Sequence, residues 1–197
     1  MTGRNKMQLI SQLQENVTRF FDAFHERHGS HMQCSLGCSK CCCEGLTVFP
    51  VEAQLIFRWF EGLEPTERQQ LGLNLVASMR SNSSHKKCVF LHNNACSIYE
   101  ARPVVCRTQG LPLQLKRTDE RDEEVELSLC ELNFSDESHL PAQREWLDLD
   151  RLNALLAIAQ QQTDLSEFSL EVLNLSSAQS QRIRLDDLRD LLLRNVN

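Results

Sequence analysis

A mainly α-helical fold with one small β-hairpin, its helices packed around a cysteine-rich core, is predicted by three features of the 197-residue sequence. Apolar residues recur at three- and four-residue intervals near both ends. Strict apolar/polar alternation is confined to one paired segment. Nine cysteines, in a chain with seven glycines and one tyrosine, are the one anomaly of a composition otherwise ordinary for a globular protein at 41% hydrophobic and 24% charged. The length suits one compact domain, organised as an amphipathic helix and lead-in over 1–33, a cysteine core over 34–130 and a helical segment over 131–197.

Met7, Ile10, Leu13, Val17, Phe20, Phe21 and Phe24 mark one stripe of an N-terminal helix. The polar segment from His25 to Gln33 then delivers the chain into Cys34-Ser-Leu-Gly-Cys38-Ser-Lys-Cys41-Cys42-Cys43, where Gly37 and the serines suit a tight turn. Residues 46–49 read as a short extended piece. Pro50 fits the first turn of a helix running to about Gly62, with Glu52 near its positive end, and a second helix follows from Pro65 to about Met79. Alternation over 111–117 and 124–130 predicts two strands joined by a charged loop, with Pro112 limiting the first to an edge. Two C-terminal stripes, Trp146/Leu149/Leu152/Leu155/Leu156/Ala159 and Ile183/Leu185/Leu188/Leu191/Leu192, predict helices packed against the cysteine core.

The N-terminal twenty residues have no apolar core or small-residue cleavage site, which predicts a cytoplasmic protein. Thiols there stay reduced, so clustered cysteines point to metal binding or redox chemistry rather than disulfides. No apolar run approaches the roughly 18–20 residues of a transmembrane helix, so no membrane partner is expected. The net charge is −6, but residues 80–117 carry +6 and residues 118–197 carry −11. The basic stretch lacks interleaved aromatics, so it points to neighbouring thiolates rather than nucleic acid.

Eight cysteines make a ligand inventory: Cys34, Cys38, Cys41 and Cys42 in one group, then Cys88, Cys96, Cys106 and Cys130, with Cys43 the expected bystander. The C-x2-C step from Cys38 to Cys41 lets two sulfurs converge on one ion, and about four thiolates close a structural site. Adjacent Cys41 and Cys42 point in different directions, so only one is expected to serve a given ion from an unstrained backbone. The first group supplies at most three well-placed sulfurs, and the two groups are therefore expected to meet in space. All-thiolate sites suit zinc and iron–sulfur clusters alike, so the cofactor expected is an iron–sulfur cluster or zinc, and the sequence leaves open whether there is one centre or two.

The string C-x3-C-x2-C-C at 34–42, with Val48 and Glu52-Ala53, then Lys87-Cys-Val-Phe-Leu91 and Ala95-Cys-Ser-Ile-Tyr-Glu-Ala-Arg-Pro-Val-Val-Cys-Arg107, resembles the YkgJ-like cysteine-cluster family, also called the CxxCxxCC family. Its first step is x3 where the family name has x2. The resemblance implies zinc or iron chelation by Cys34, Cys38, Cys41, Cys42, Cys88, Cys96 and Cys106, with Cys130 where a later family cysteine often falls. Members often carry the label of iron–sulfur oxidoreductase; the resemblance itself specifies no reaction. The string also satisfies the C-x3-C-x2-C of radical S-adenosylmethionine enzymes, but no alternating strands and helices surround it. Likewise Cys38-Ser-Lys-Cys41 lacks the preceding strand of a thioredoxin-like redox site.

The remaining candidates receive plainer readings. Arg102 and Arg107 could donate to thiolates or an anion, or pair with Glu100 or the acidic tail. Tyr99 is expected in the core; His25, His28 and His31, and likewise His85 and His92, on the surface. The leading expectation is thus a metal-binding protein with a redox role open to it. The rival is a zinc-stapled interaction protein acting through its C-terminal helices or acidic segment 118–137.

Overall fold

The computed structural model describes residues 7–81, 87–118, 123–163 and 182–196. Helix α1 (Met7–His28) is longer than its apolar stripe predicts, because His25 and His28 extend the helix with ring contacts to Phe21 and Phe24. A single 3-10 turn, Gly29–His31, leads into the cysteine loop. After β1 (Thr47–Val48) come α2 (Pro50–Glu61) and α3 (Pro65–Ser81). Each of these helices starts on a proline, and each has a glutamate in its first turn that turns back to the preceding backbone N–H: Glu52 to Phe49 at 3.1 Å, Glu67 to Glu64 at 3.0 Å.

The middle of the chain is built from short pieces: a hairpin of β2 (Leu91–His92) and β3 (Ala95–Cys96), the one-turn α4 (Val104–Arg107), and the longer hairpin of β4 (Leu113–Thr118) and β5 (Glu123–Ser128). The long hairpin matches the predicted alternation with its ends shifted. Leu111 stays outside the ladder because it is buried in the core, and Leu129 and Cys130 leave it at the other end. Pro112 does not make β4 an edge. β4 is central, antiparallel to β5 and parallel to β6 (Leu147–Asp148). Pro112 precedes the ladder, where its missing N–H costs nothing, and its carbonyl accepts from Leu147 N at 2.9 Å.

Helix α5 (Leu149–Gln162) is capped by Asp148, whose carboxylate accepts from Arg151 N at 2.9 Å. It buries Leu152, Leu156 and Ala159; Leu155 of the predicted stripe is exposed, and Trp146 lies before the helix with its indole N–H on Pro141 O. Strand β7 (Ile183–Arg184) pairs antiparallel with β1, and α6 (Leu185–Arg194) buries Leu185, Leu188, Leu191 and Leu192 as its stripe predicts.

Among the described residues, the hydrophobic core falls into three apolar clusters. The largest joins α2, α3 and α6 through Ile56, Phe60, Leu75, Leu188 and Leu192, and takes in Phe90, Ile98 and Cys88. A second locks α1, α2 and α5 around Ile10, Val17, Val51, Val104 and Leu156. The third packs Phe24 and Met32 against Leu111 and Phe134. Cys88 lies within the first cluster with Cys42 and Cys96 packed against it, and Cys34 packs against the third.

Candidate metal centre

The cysteine loop is held by short-range turns. Cys38 N–H donates to Ser35 O at 3.0 Å across Gly37, whose φ of +90° few other residues adopt, and Cys42 N–H donates to Ser39 O at 3.1 Å. The second motif then docks on the first. Cys43 and Lys87 form an antiparallel bridge, Cys88 N–H donates to Cys42 O at 3.1 Å, and the Lys87 ammonium donates to Ser39 O at 3.2 Å. The chain turns at Asn93 and Asn94, both left-handed at φ 49° and 60°, the conformation of a two-residue hairpin turn. That hairpin returns Cys96 opposite Leu91. Helix α4 presents Cys106, and its first N–H, on Val104, is held by the buried Glu52 carboxylate at 2.9 Å.

Cys42, Cys88, Cys96 and Cys106 therefore share one neighbourhood. The last three each act electrostatically on the Cys42 thiol, and Cys88 and Cys96 act on Cys106. Cys88 is buried, and burial pushes its thiol up to about 11. Burial also pushes up Cys106 and Cys96, with Arg102 partly offsetting it at Cys96. Cys42 is held below the usual thiol range by a hydrogen bond from Cys41, which itself is pushed up by that bond and by burial.

A second neighbourhood lies on the other side of Cys41. Burial pushes the Cys34 thiol up, the Asn133 hydrogen bond opposes this, and Cys130, Cys38 and Cys41 add smaller upward effects. Cys38 and Cys41 are exposed, Cys34 and Cys130 half-buried. A cleft of about 280 Å³ opens beside them between Cys41, Gly110, Leu113 and Cys130. Its mouth carries the exposed ion pair Lys40–Glu131 at 2.8 Å. The two neighbourhoods thus differ in exposure and meet at Cys41, whose thiol bonds to Cys42 and acts on both Cys106 and Cys34.

Other expectations meet a mixed outcome. The +6 stretch does bring positive charge to sulfur, through Lys87 at Cys41 and Arg102 at Cys96. Arg107 instead clamps backbone: it donates to Arg102 O at 2.8 Å and Glu100 O at 2.7 Å, and to Thr18 Oγ1 at 3.0 Å, tying α4 to α1. Tyr99 is exposed, not a core residue, because the Arg102 guanidinium stacks on its ring at 4.1 Å and holds it at the surface. His25 is exposed as expected. His28 and His31 are half-buried instead, His28 bonded to Glu145 at 3.1 Å and His31 stacked between Phe134 and His139. His85 lies outside the described residues.

Sequence reasoning missed three residues here. Asn133 and Gly110 contact Cys34, and Glu52 anchors the turn that carries Cys106. The signal for Glu52 was present in its helix-start position; nothing local marked Asn133.

Among the described residues, no three His, Cys, Asp or Glu side chains converge closely enough to hold an ion. The donor chemistry nonetheless fits a thiophilic cation. All nine cysteines are free, and buried thiols that resist ionisation beside one another are the surroundings in which a central cation stabilises the thiolates. Among the described residues, no helix is long and apolar enough to cross a membrane. Residues 33–130 match the model of a family described as "CxxCxxCC: Putative zinc- or iron-chelating domain". No curated protein and no solved structure matches the chain.

Proposed function

Since the chain belongs, through residues 33–130, to the CxxCxxCC family of zinc- or iron-chelating domains, we propose that it chelates its metal at two cysteine groups: Cys34, Cys38, Cys41 and Cys130 in one, Cys42, Cys88, Cys96 and Cys106 in the other. The observation that supports this reading is the docking of Cys88 N–H on Cys42 O at 3.1 Å, which brings the second motif to Cys42. Cys43 stays outside both.

Eight thiolates suit zinc or iron–sulfur clusters, and the chemistry supplied when loaded is a structural cross-link for zinc and one-electron transfer for iron–sulfur. The chain's own part is to hold the sulfurs. Glu52 fixes the turn bearing Cys106, Lys87 and Arg102 offset thiolate charge, and the apolar cluster around Phe60 and Phe90 excludes water from Cys88. Free thiols at all nine cysteines suit a reducing compartment such as the cytoplasm.

Anaerobic purification with metal and sulfide analysis and a visible absorption spectrum tests the reading. Zinc, or iron with sulfide, at two centres per chain is expected, and visible absorption bleached by dithionite would assign a redox role. A chain that retains no metal overturns it, as does a single equivalent lost alike on replacing Cys38 or Cys88.

A further inference from the structure

Asn133 lies outside the residues matched to the family, three positions after Cys130, and it is 2% exposed, whereas most of the other described asparagines face solvent. Its carboxamide is fully engaged. The Gln33 N–H donates to Oδ1 at 2.8 Å, while Nδ2 donates to Gly110 O at 2.9 Å and to Cys34 Sγ at 3.4 Å. The backbone partners fix the amide's orientation, since a flipped group would face donor to donor at Gln33 and acceptor to acceptor at Gly110. Its own N–H donates to Cys130 O at 2.9 Å. One residue therefore ties together Cys34, the turn at Gly110 and the turn that carries Cys130.

The surroundings hold that side chain in place. Phe134, the next residue, is left-handed at φ 53°, a conformation that bulky side chains rarely adopt. It is retained by ring contacts to Phe24, His28 and His31 and by its N–H on His31 O at 2.8 Å. From the opposite side Gly110, at φ +89°, leaves no room for a side chain: a Cβ there would run into Cys34 Sγ.

We propose that Asn133 is the positioning residue of the Cys34/Cys38/Cys41/Cys130 group, its Nδ2–H held on the Cys34 sulfur by the Gly110 and Gln33 backbone so that a metal-bound thiolate there receives an N–H donor. This rests on the two-group chelation reading above. An N–H on a coordinating sulfur orients it and offsets its negative charge, and loss of such outer partners typically weakens metal binding about 10–100-fold.

Cobalt(II) titration of the full-length, reduced chain tests the role, because sulfur-to-cobalt charge-transfer absorption reports thiolate ligation directly. The variants are C34S, C88S, N133L, N133D and G110A. Wild type should bind cobalt at both groups, C34S should lose one and C88S the other. N133L and N133D should each weaken cobalt about 10–100-fold at the group that C34S disables, and leave the C88S-sensitive group at wild-type affinity, which also certifies the fold. N133D is the discriminating variant: it keeps the shape and the acceptor for Gln33 but puts an oxygen where Cys34 Sγ and Gly110 O each receive an N–H, so it should weaken the group at least as much as N133L, whereas a role of filling space alone would leave the isosteric N133D closer to wild type than N133L. G110A should weaken the same group alone. The Asn133 role is overturned if N133D binds within twofold of wild type, or if the Asn133 variants weaken both groups equally. Wild type that takes up no cobalt overturns the chelation reading itself, and the Asn133 role with it.

Discussion

Cys42 and Cys88 are joined through their backbones, the N–H of Cys88 donating to the carbonyl of Cys42 at 3.1 Å, so two motifs far apart in sequence meet at adjacent sulfur-bearing residues. Cys41, one position earlier, lines the cleft shared with Cys130 instead. Across the cysteine loop, then, serine replacement should be position-specific. Cys38→Ser and Cys42→Ser should each remove metal from their own group, while Cys43→Ser should keep wild-type metal content. Metal analysis of the three purified variants checks this, and equal loss in Cys42→Ser and Cys43→Ser would show a different register.

Glu52 accepts from Phe49 N at 3.1 Å and from Val104 N at 2.9 Å while 2% exposed. Replacing it with alanine strands two backbone donors, at roughly 1–3 kcal/mol for each that stays buried, so Glu52→Ala should destabilise by about 2–4 kcal/mol. Urea unfolding of the metal-free chain measures it.

The same residue sets a pH slope. Burial pushes the Glu52 carboxyl up, against the pull of the Val104 and Phe49 N–H groups. A folded value above the unfolded one means that the folded chain holds the extra proton between the two, so the Glu52 contribution falls as pH rises from the ordinary glutamate range through the raised value. Urea midpoints of wild type and Glu52→Gln across that range, without metal, should diverge in that sense: only wild type carries this component of the slope.

The left-handed Asn93 and Asn94 set the register that places Cys96 opposite Leu91. Asn94→Val forces a β-branched residue into that conformation and should cost about 1–2 kcal/mol; Asn94→Gly should be neutral or stabilising. Thermal unfolding of both variants tests the pair. Cobalt binding at the C88S-sensitive group should weaken with Asn94→Val and persist with Asn94→Gly.

Metal removal should act unevenly. The Ile10/Val51/Leu156 cluster contains no cysteine, whereas Cys88 is part of the Phe60/Phe90 cluster with Cys42 and Cys96 against it. Hydrogen exchange after chelation should accelerate over 34–46 and 88–107 while the interior of α1 retains its protection.

Helices were the legible part of this fold. The stripes of α1 and α6, and the prolines opening α2 and α3, act within a few residues, so these signals are printed in the chain. Pro112 misled because strand order depends on β6, a partner more than thirty residues away. Tyr99 misled because a neighbouring guanidinium gave its ring a surface partner. The cysteines could be counted and grouped by spacing, but the docking of Cys88 on Cys42 beside the Cys43–Lys87 bridge, and the reach of Asn133 to Cys34 across 99 positions, could not. Such contacts leave no local periodicity to read.

The pairing of β1 with β7 also bears on synthesis. Thr47 receives Arg182 from 135 positions later, and Leu185 N–H closes on Leu46 O immediately after the cysteine loop. At about 5–20 residues per second, a ribosome takes roughly 7–27 seconds between translating those strands. Throughout that interval the nascent cysteine loop lacks its closing strand and helix α6. The loop's thiols are thus made well before this latch, which leaves Cys42 and Cys88 open to metal donors, or to oxidants, before α6 completes the cluster they join.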